Sequence, residues 1–154
     1  KEIKFRLRDQ NNKIVGYEKW YPGVWNKEQG YWTANSRWLY SKDGEKWNPD
    51  WIEHRYKDQF TGIKDKKGNE VWEGDIVEQE AIITYPGKYG GEIDRLYIGE
   101  VVILASKGVC LKKPKVIERD DNNRIWYCSY YINIASYRSK IIGDICSNPE
   151  LVEK

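Results

Sequence analysis

Hydrophobic and polar residues alternate strictly at the start of the chain. Ile3, Phe5 and Leu7 are separated by basic residues, which is the period of two expected for a β-strand with one buried face. The polar run at 9–12 supplies turn-forming residues, and the stretch at 14–20 then predicts the returning strand of a hairpin.

Turn chemistry also divides the rest of the first third. A strand is predicted at 31–40, and it ends at a serine-lysine-aspartate-glycine sequence at 41–44 that favours a tight hairpin turn. Asparagine and proline at 48–49 favour the start of a short helix, because asparagine caps helices and proline fits their first position.

The second part of the chain repeats one local pattern three times. A glycine, an acidic residue and a β-branched residue begin the segments 74–77, 99–102 and 143–146, and each predicts a tight turn that leads into a buried strand. The glycine-rich stretch at 85–94 predicts an exposed loop. Further elements are predicted as strands at 109–112 and 124–134 and as a terminal helical turn at 148–151.

Aromatic residues are concentrated in one segment. Residues 17–56 hold 11 of the 22 aromatic side chains and six of the eight tryptophans, with only four aliphatic residues, whereas the C-terminal part is rich in isoleucine and valine. Many short strands with little helix predict a mainly β protein, α+β at most. We therefore expect an SH3-like or similar small barrel at 59–147, with the first strand paired into it and an aromatic-rich β subdomain inserted at 17–56.

Charge and rare residues exclude several classes of site. The net charge is only +2, with five basic and two acidic residues at 1–16 and six of each at 17–56, so no clustered phosphate-binding footprint stands out. The three cysteines form no Cys-x-x-Cys pair, and His54 is the single histidine, so we expect reduced thiols, no metal site and no cofactor. No catalytic residues are predicted, and the acidic residues at 65–75 are interpreted as turn charges.

No segment predicts membrane insertion or export. The longest apolar runs are far below the roughly 20 residues of a membrane helix, and the N-terminal segment lacks the apolar stretch of a signal peptide. We therefore expect a cytoplasmic protein.

Three separated segments resemble one family. They are IKFRLRD at 3–9, QFTGIKDKKGNEVWEGDIV at 59–77 and IIGDICSNPEL at 141–151. In sequence and order they are similar to the YopX family, so that 1–154 resembles a single YopX-like domain. The resemblance implies a phage or prophage protein of a Gram-positive host, and it supplies no catalytic residue. The central segment is interpreted as a fold signature, because Gly68 suits a turn between strands and Asp75 suits a carboxylate that accepts local backbone hydrogen bonds.

The aromatic segment and the first strand contain the candidate binding residues. Exposed tryptophan and tyrosine side chains stack on bases or anchor protein interfaces, whereas buried ones form a core. We favour an aromatic core for most of them, with a mixed core and interface as the alternative. Basic residues of the first strand either add a cationic edge or block strand pairing. The candidates are Trp20, Tyr21, Trp25, Trp32, Trp38, Trp47, Trp51, Lys4, Arg6 and Arg8.

Three functions are compatible with these features. The first is a non-enzymatic phage accessory protein that binds a host or phage protein, for example as an inhibitor of a host defence system. The second is a small-barrel nucleic-acid-binding protein, and the third is a protein that sequesters nucleotides. A homo-oligomer is compatible with all three, and a membrane partner is not expected.

Overall fold

A computed structural model describes residues 2–120 and 122–153 of the chain. The chain divides into two compact units, residues 1–62 and 63–154. This division places the first strand in the same unit as the aromatic-rich segment. The first strand pairs, as predicted, with the strand that contains Gln59, since Phe5 and Gln59 are register partners. The insertion at 17–56 and the core at 59–147 stay predictions.

The first unit contains six strands. They are β1 (Lys4–Arg8), β2 (Ile14–Tyr21), β3 (Val24–Asn26), β4 (Tyr31–Ala34), β5 (Arg37–Ser41) and β6 (Tyr56–Lys64), the last of which crosses the boundary. The main sheet has the order β5-β2-β1-β6, and β3 and β4 form a separate two-stranded hairpin. The β1–β2 hairpin is antiparallel, as predicted, with Phe5 opposite Glu18.

The second unit contains a six-stranded sheet. Strand β7 (Glu70–Trp72) comes before this sheet in the chain. The six strands of the sheet are β8 (Asp75–Thr84), β9 (Glu92–Leu104), β10 (Gly108–Glu118), β11 (Ile125–Tyr127), β12 (Ile132–Asn133) and β13 (Ser139–Asp144). The order is β11-β10-β9-β8-β13, and β12 also pairs with β10. Short 3-10 helices lie at Ser136–Arg138 and Pro149–Leu151, the second where a terminal helical turn was predicted.

The mainly β class is confirmed, but no closed barrel is found in the described part of the chain. Closure requires the two outer strands of a sheet to pair, and in the six-stranded sheet the outer strands β11 and β13 pair only with β10 and β8. The expected SH3-like barrel is therefore replaced by an open sheet.

The core of the second unit is mostly aliphatic. Strands β8 to β10 alternate buried and less buried positions, so that one face of the sheet is lined with apolar side chains. Each fully buried valine or leucine contributes roughly 1.5–3 kcal/mol relative to exposure. The buried cluster consists of Val71, Val77, Tyr97, Val101, Leu111, Val116 and Cys128.

The turn between β6 and β7 has the predicted chemistry. Gly68 has φ 86, and Asp65 Oδ1 accepts hydrogen bonds from the backbone N–H of Lys67 and Asn69. Asp75 likewise accepts a hydrogen bond of 2.8 Å from the backbone N–H of Trp72. Both carboxylates therefore stabilise turns, which supports the interpretation of this segment as a fold signature.

Candidate functional site

The tryptophans of the aromatic-rich segment lie at the surface of the first unit. Trp25, Trp32, Trp38 and Trp51 are exposed by 47%, 52%, 38% and 62%, and Trp20 and Trp47 are half-buried. None of these six indoles is buried, so the expectation that most form a core is wrong. The segment 17–56 that carries them has only four aliphatic residues, too few to cover such large rings.

The β3–β4 hairpin exposes four large apolar side chains, of which Trp25 and Trp32 are in contact on one face. Trp25 lies opposite Trp32 in the strand register, and their rings meet edge to face with centroids 5.3 Å apart. Val24 and Tyr31, at the neighbouring positions, are exposed by 48% and 51%. These four residues, Val24, Trp25, Tyr31 and Trp32, are called the hairpin surface below.

The turn of this hairpin is fixed by one asparagine. The side-chain oxygen of Asn26 accepts hydrogen bonds from the backbone N–H of Glu28 and Gln29, both at 3.0 Å. The backbone N–H of Gly30 donates to the carbonyl of Asn26 at 2.8 Å. Because the turn is hydrogen-bonded internally, the aromatic rings are held in a defined arrangement at the surface.

A second aromatic group lies on one face of the main sheet. The ring of Trp38 is 5.2 Å from that of Trp20 and 6.2 Å from that of Phe5, between centroids. The Lys57 ammonium lies 4.6 Å from the Phe5 ring and pairs with Glu18 at 3.0 Å. This face is partly buried, and its polar groups are already paired with each other.

Tyr40 and Glu18 form a buried polar contact beside this group. Burial, followed by the hydrogen bond to Glu18, raises the pKa of Tyr40 to about 12. A raised pKa in the folded state means that folding favours the neutral phenol. The contribution of Tyr40 to the free energy of unfolding is complete below about pH 10, the pKa of tyrosine in the unfolded chain. It is lost as the pH rises through the pKa of about 12 in the folded state.

We therefore expect the free energy of unfolding to decline between about pH 10 and pH 12 partly because Tyr40 must ionise in the unfolded chain. Other groups titrate in this range, so the matched variant is Tyr40→Phe, measured by urea unfolding at each pH. The variant should show a shallower decline than the wild-type protein. Identical slopes would contradict the assignment of this titration to Tyr40.

The remaining predicted aromatic residues are not brought together. The Lys19 ammonium lies 4.3 Å from the ring of Trp47, and Tyr21 lies beside the guanidinium of Arg37 at 5.7 Å. Trp51 packs against His54, with centroids 5.7 Å apart. Trp51 also borders an open cavity of about 470 Å³, lined in addition by Tyr40, Ser41, Lys42, Asp43, Lys46, Asn48, Asp50 and Ile52.

The three basic residues of β1 do not form the expected cationic edge. Strand β1 lies between β2 and β6, and Arg6 and Arg8 are exposed by only 7% and 3%. Both guanidiniums donate to Asp58 Oδ2, from Nε at 2.9 and 2.7 Å. Lys4 lies 4.5 Å from the ring of Phe60. These residues therefore belong to the interior of the sheet.

Within residues 2–120 and 122–153, no group of three or more histidine, cysteine or acidic residues is arranged to hold a metal ion. The three cysteines are free thiols, of which Cys110 and Cys128 are buried and Cys146 is exposed. In the same described ranges, no helix is long and apolar enough to cross a membrane.

The sequence did not identify two candidate binding features, one in each unit. Val24 has no aromatic ring and was overlooked, although it lies between aromatic residues in a segment with few aliphatic side chains. The lysine-rich turn at 64–67 was interpreted only as turn chemistry, and its nearness to Arg138 and Lys140 depends on tertiary contacts.

One known protein family matches nearly the whole chain. A family model described as YopX protein matches residues 4–153. The chain belongs to the YopX family. The YopX match covers both units, and therefore includes the hairpin surface as well as the turn segment at 59–77. No curated protein shows a significant match to this YopX-family chain.

Proposed function

We propose that this YopX-family chain is a non-enzymatic phage or prophage accessory protein that binds a host or phage protein in the bacterial cytoplasm. The observation that carries the proposal is the hairpin surface, where Trp25 and Trp32 meet on one face while Val24 and Tyr31 project from the other, each about half exposed. Inhibition of a host defence protein is one concrete form of this activity.

Exposure of such an apolar cluster to water is unfavourable in free energy unless a partner covers it. Soluble monomers rarely expose large contiguous apolar patches, and those they do expose often mark interaction sites. A two-stranded hairpin is also marginally stable by itself, so a partner that covers its rings stabilises the hairpin as well. Tryptophan and tyrosine are enriched among the residues that dominate binding energy at protein interfaces.

The charge around the hairpin favours a protein over nucleic acid at this surface. The turn carries Lys27 and Glu28, and residues 17–56 carry six basic and six acidic side chains. Nucleic-acid binding depends on an excess of positive charge that releases counterions from phosphates. A neutral aromatic surface lacks that excess and suits the buried centre of a protein interface.

The ring geometry argues against nucleotide sequestration by the same pair. A base held between two aromatic rings needs them nearly parallel with a gap between them. The planes of Trp25 and Trp32 are inclined by 67° and the rings touch each other, so they leave no slot for a base.

The proposal predicts that Trp25→Ala/Trp32→Ala strongly weakens partner binding. Each truncated central residue typically costs about 2 kcal/mol of binding free energy, so the pair should weaken affinity by roughly 700-fold if the two losses add. The partner is first captured from host lysate after nuclease treatment and identified. It is then purified, and its dissociation constant is measured with each variant by calorimetry.

Two further variants separate binding from folding. Val24→Lys keeps both indoles and places a charge in the hairpin surface, so it should also weaken binding while leaving the melting temperature nearly unchanged. Trp51→Ala removes an exposed tryptophan outside the hairpin and should bind normally. Equal affinity of the wild-type protein and the Trp25→Ala/Trp32→Ala variant, or a partner retained only through nucleic acid, would refute the proposal.

A further inference from the structure

Basic residues from two distant segments meet on the second unit. The backbone N–H of Lys66 donates to the carbonyl of Ser139 at 2.8 Å, and the Ser136 hydroxyl donates to the carbonyl of Lys64. These contacts bring the turn at 64–67 against the segment at 136–140. The cationic surface defined here consists of Lys64, Lys66, Lys67, Arg138 and Lys140.

One buried carboxylate holds this surface together. Asp65 is 4% exposed, and its Oδ1 accepts hydrogen bonds from the backbone N–H of Lys67 and Asn69 at 3.0 and 2.9 Å. Its Oδ2 accepts one from Ile141 at 3.1 Å. Burial by itself raises the pKa of this carboxyl, but the backbone hydrogen bonds outweigh burial and lower the pKa. The acidic charge is thus directed inward while the lysines on either side of it are exposed.

Two carboxylates partly offset the positive charge. Glu80 contacts Lys66 at 4.0 Å, but it also contacts Arg119 at 3.6 Å, so its charge is shared between two cations. Glu78 lies opposite Lys140 in the strand register. With Asp65 included, five cations share this part of the second unit with three carboxylates, an excess of two positive charges.

An exposed aromatic ring adjoins these cations. Tyr137 is 77% exposed, and the guanidinium of Arg138 lies 5.4 Å from the centre of its ring. An exposed ring among lysines provides what single-stranded nucleic acid requires, since bases stack on aromatic faces while phosphates contact cations. Four of the five cations are lysines, which contact phosphates as point charges and favour binding that tolerates different base sequences.

We propose that the cationic surface, with Tyr137, binds single-stranded nucleic acid through its phosphates and one stacked base. A single strand of nucleic acid carries phosphates and unstacked bases side by side, so it can contact the lysines and the Tyr137 ring at the same time. This activity is separate from the protein binding assigned to the hairpin surface, because it uses different residues on the other unit.

Fluorescence anisotropy with a labelled 20-nucleotide thymidine strand tests this proposal over a series of salt concentrations. The wild-type protein should bind with an affinity that falls steeply with salt. Lys66→Glu/Lys67→Glu should weaken binding at least 10-fold, and it should reduce the salt slope by about 1.4 if each lysine neutralises one phosphate. Tyr137→Ala should weaken binding roughly 10-fold with an unchanged salt slope, because stacking releases no counterions.

The matched control is Lys42→Glu/Lys46→Glu, which makes the same change of charge at two exposed lysines of the first unit. It should bind the strand within about threefold of the wild-type protein, because these lysines lie outside the proposed site. Melting temperatures confirm that each variant is folded. Absence of binding by the wild-type protein, equal losses in both double variants, or tighter binding of poly-glutamate than of the thymidine strand would each overturn the proposal.

Discussion

Replacing Gly74 with valine is expected to destabilise the protein by about 3 kcal/mol, the upper end of the range for backbone strain at one residue. Gly74 has φ 89, a conformation that β-branched residues avoid. The turn cannot relax freely, because the N–H of Gly74 donates to the carbonyl of Val101 at 2.9 Å and its carbonyl accepts from Ile145 at 2.8 Å. Relief of the strain would therefore break hydrogen bonds to two other segments.

Urea unfolding of Gly74→Val and of Gly91→Val measures this effect. Gly91 lies in a loop, has no atom within 4 Å of an added Cβ, and does not have a left-handed φ. The same side chain should therefore cost less than about 1 kcal/mol at that position. If both variants lose similar stability, the loss is a general effect of valine in turns and the strain at Gly74 is not its cause.

Removal of the Asp58 carboxylate is the second change with a large expected effect. Asp58 Oδ2 lies 2.9 Å from Arg6 Nη2 and 2.7 Å from Arg8 Nε, and both arginine side chains are less than a tenth exposed. Truncation of one member of a buried ion pair typically costs 3–5 kcal/mol. Because the Asp58 side chain is itself 19% exposed, we expect Asp58→Ala to lose about 3 kcal/mol, at the lower end of that range.

A surface ion pair provides the comparison. Arg119 contacts Glu80 at 3.6 Å, and their side chains are 44% and 54% exposed. Arg119→Ala should therefore cost less than about 1 kcal/mol in the same urea assay. A loss for Asp58→Ala as small as that for Arg119→Ala would show that water solvates the Arg6 and Arg8 guanidiniums in the folded protein.

Local patterns predicted elements well where one short segment determines the geometry. The β1–β2 hairpin and the Asp65 turn depend on alternation and turn residues that are adjacent in sequence. The predicted helix start at 48–49 failed because Asn48 pairs with the backbone of Tyr40, at 2.7 and 3.0 Å. Backbone pairing with a residue eight positions earlier therefore prevented the predicted helix from starting at Asn48. In addition, the single strand predicted at 31–40 is divided into β4 and β5.

The three segments that begin with glycine and an acidic residue have similar sequences but different structures. Only Gly74 precedes its strand in a turn. Gly99 lies inside β9, where an added Cβ would be 3.1 Å from the Cβ atoms of Leu111 and Pro114. Gly143 lies near the end of β13, where an added Cβ would be 2.6 Å from the side-chain oxygen of Asn148. These glycines permit close packing against side chains that lie outside the local pattern, five residues away for Gly143 and 12 to 15 residues away for Gly99.

The sequence identified the aromatic residues of the candidate site, but it did not predict how exposed their side chains are. The number of tryptophans at 17–56 indicated either a core or a surface, and only the sheet arrangement shows that the rings are exposed or half-buried. The basic residues of β1 resembled those of an edge strand. Their burial depends on Asp58, which lies 52 and 50 residues further along the chain from Arg6 and Arg8.

The pairing of β8 with β13 has a consequence for the chain during its synthesis. Strands β8, β9 and β10 follow one another and can pair as they emerge, but the other edge of β8 is covered only by β13, whose Ser139 hydroxyl reaches Gln79 across 60 residues. Until that strand is made, β8 presents unpaired backbone groups of the kind that recruit strands from other molecules. If translation stops before Ser139, the incomplete chain should therefore have a strong tendency to aggregate.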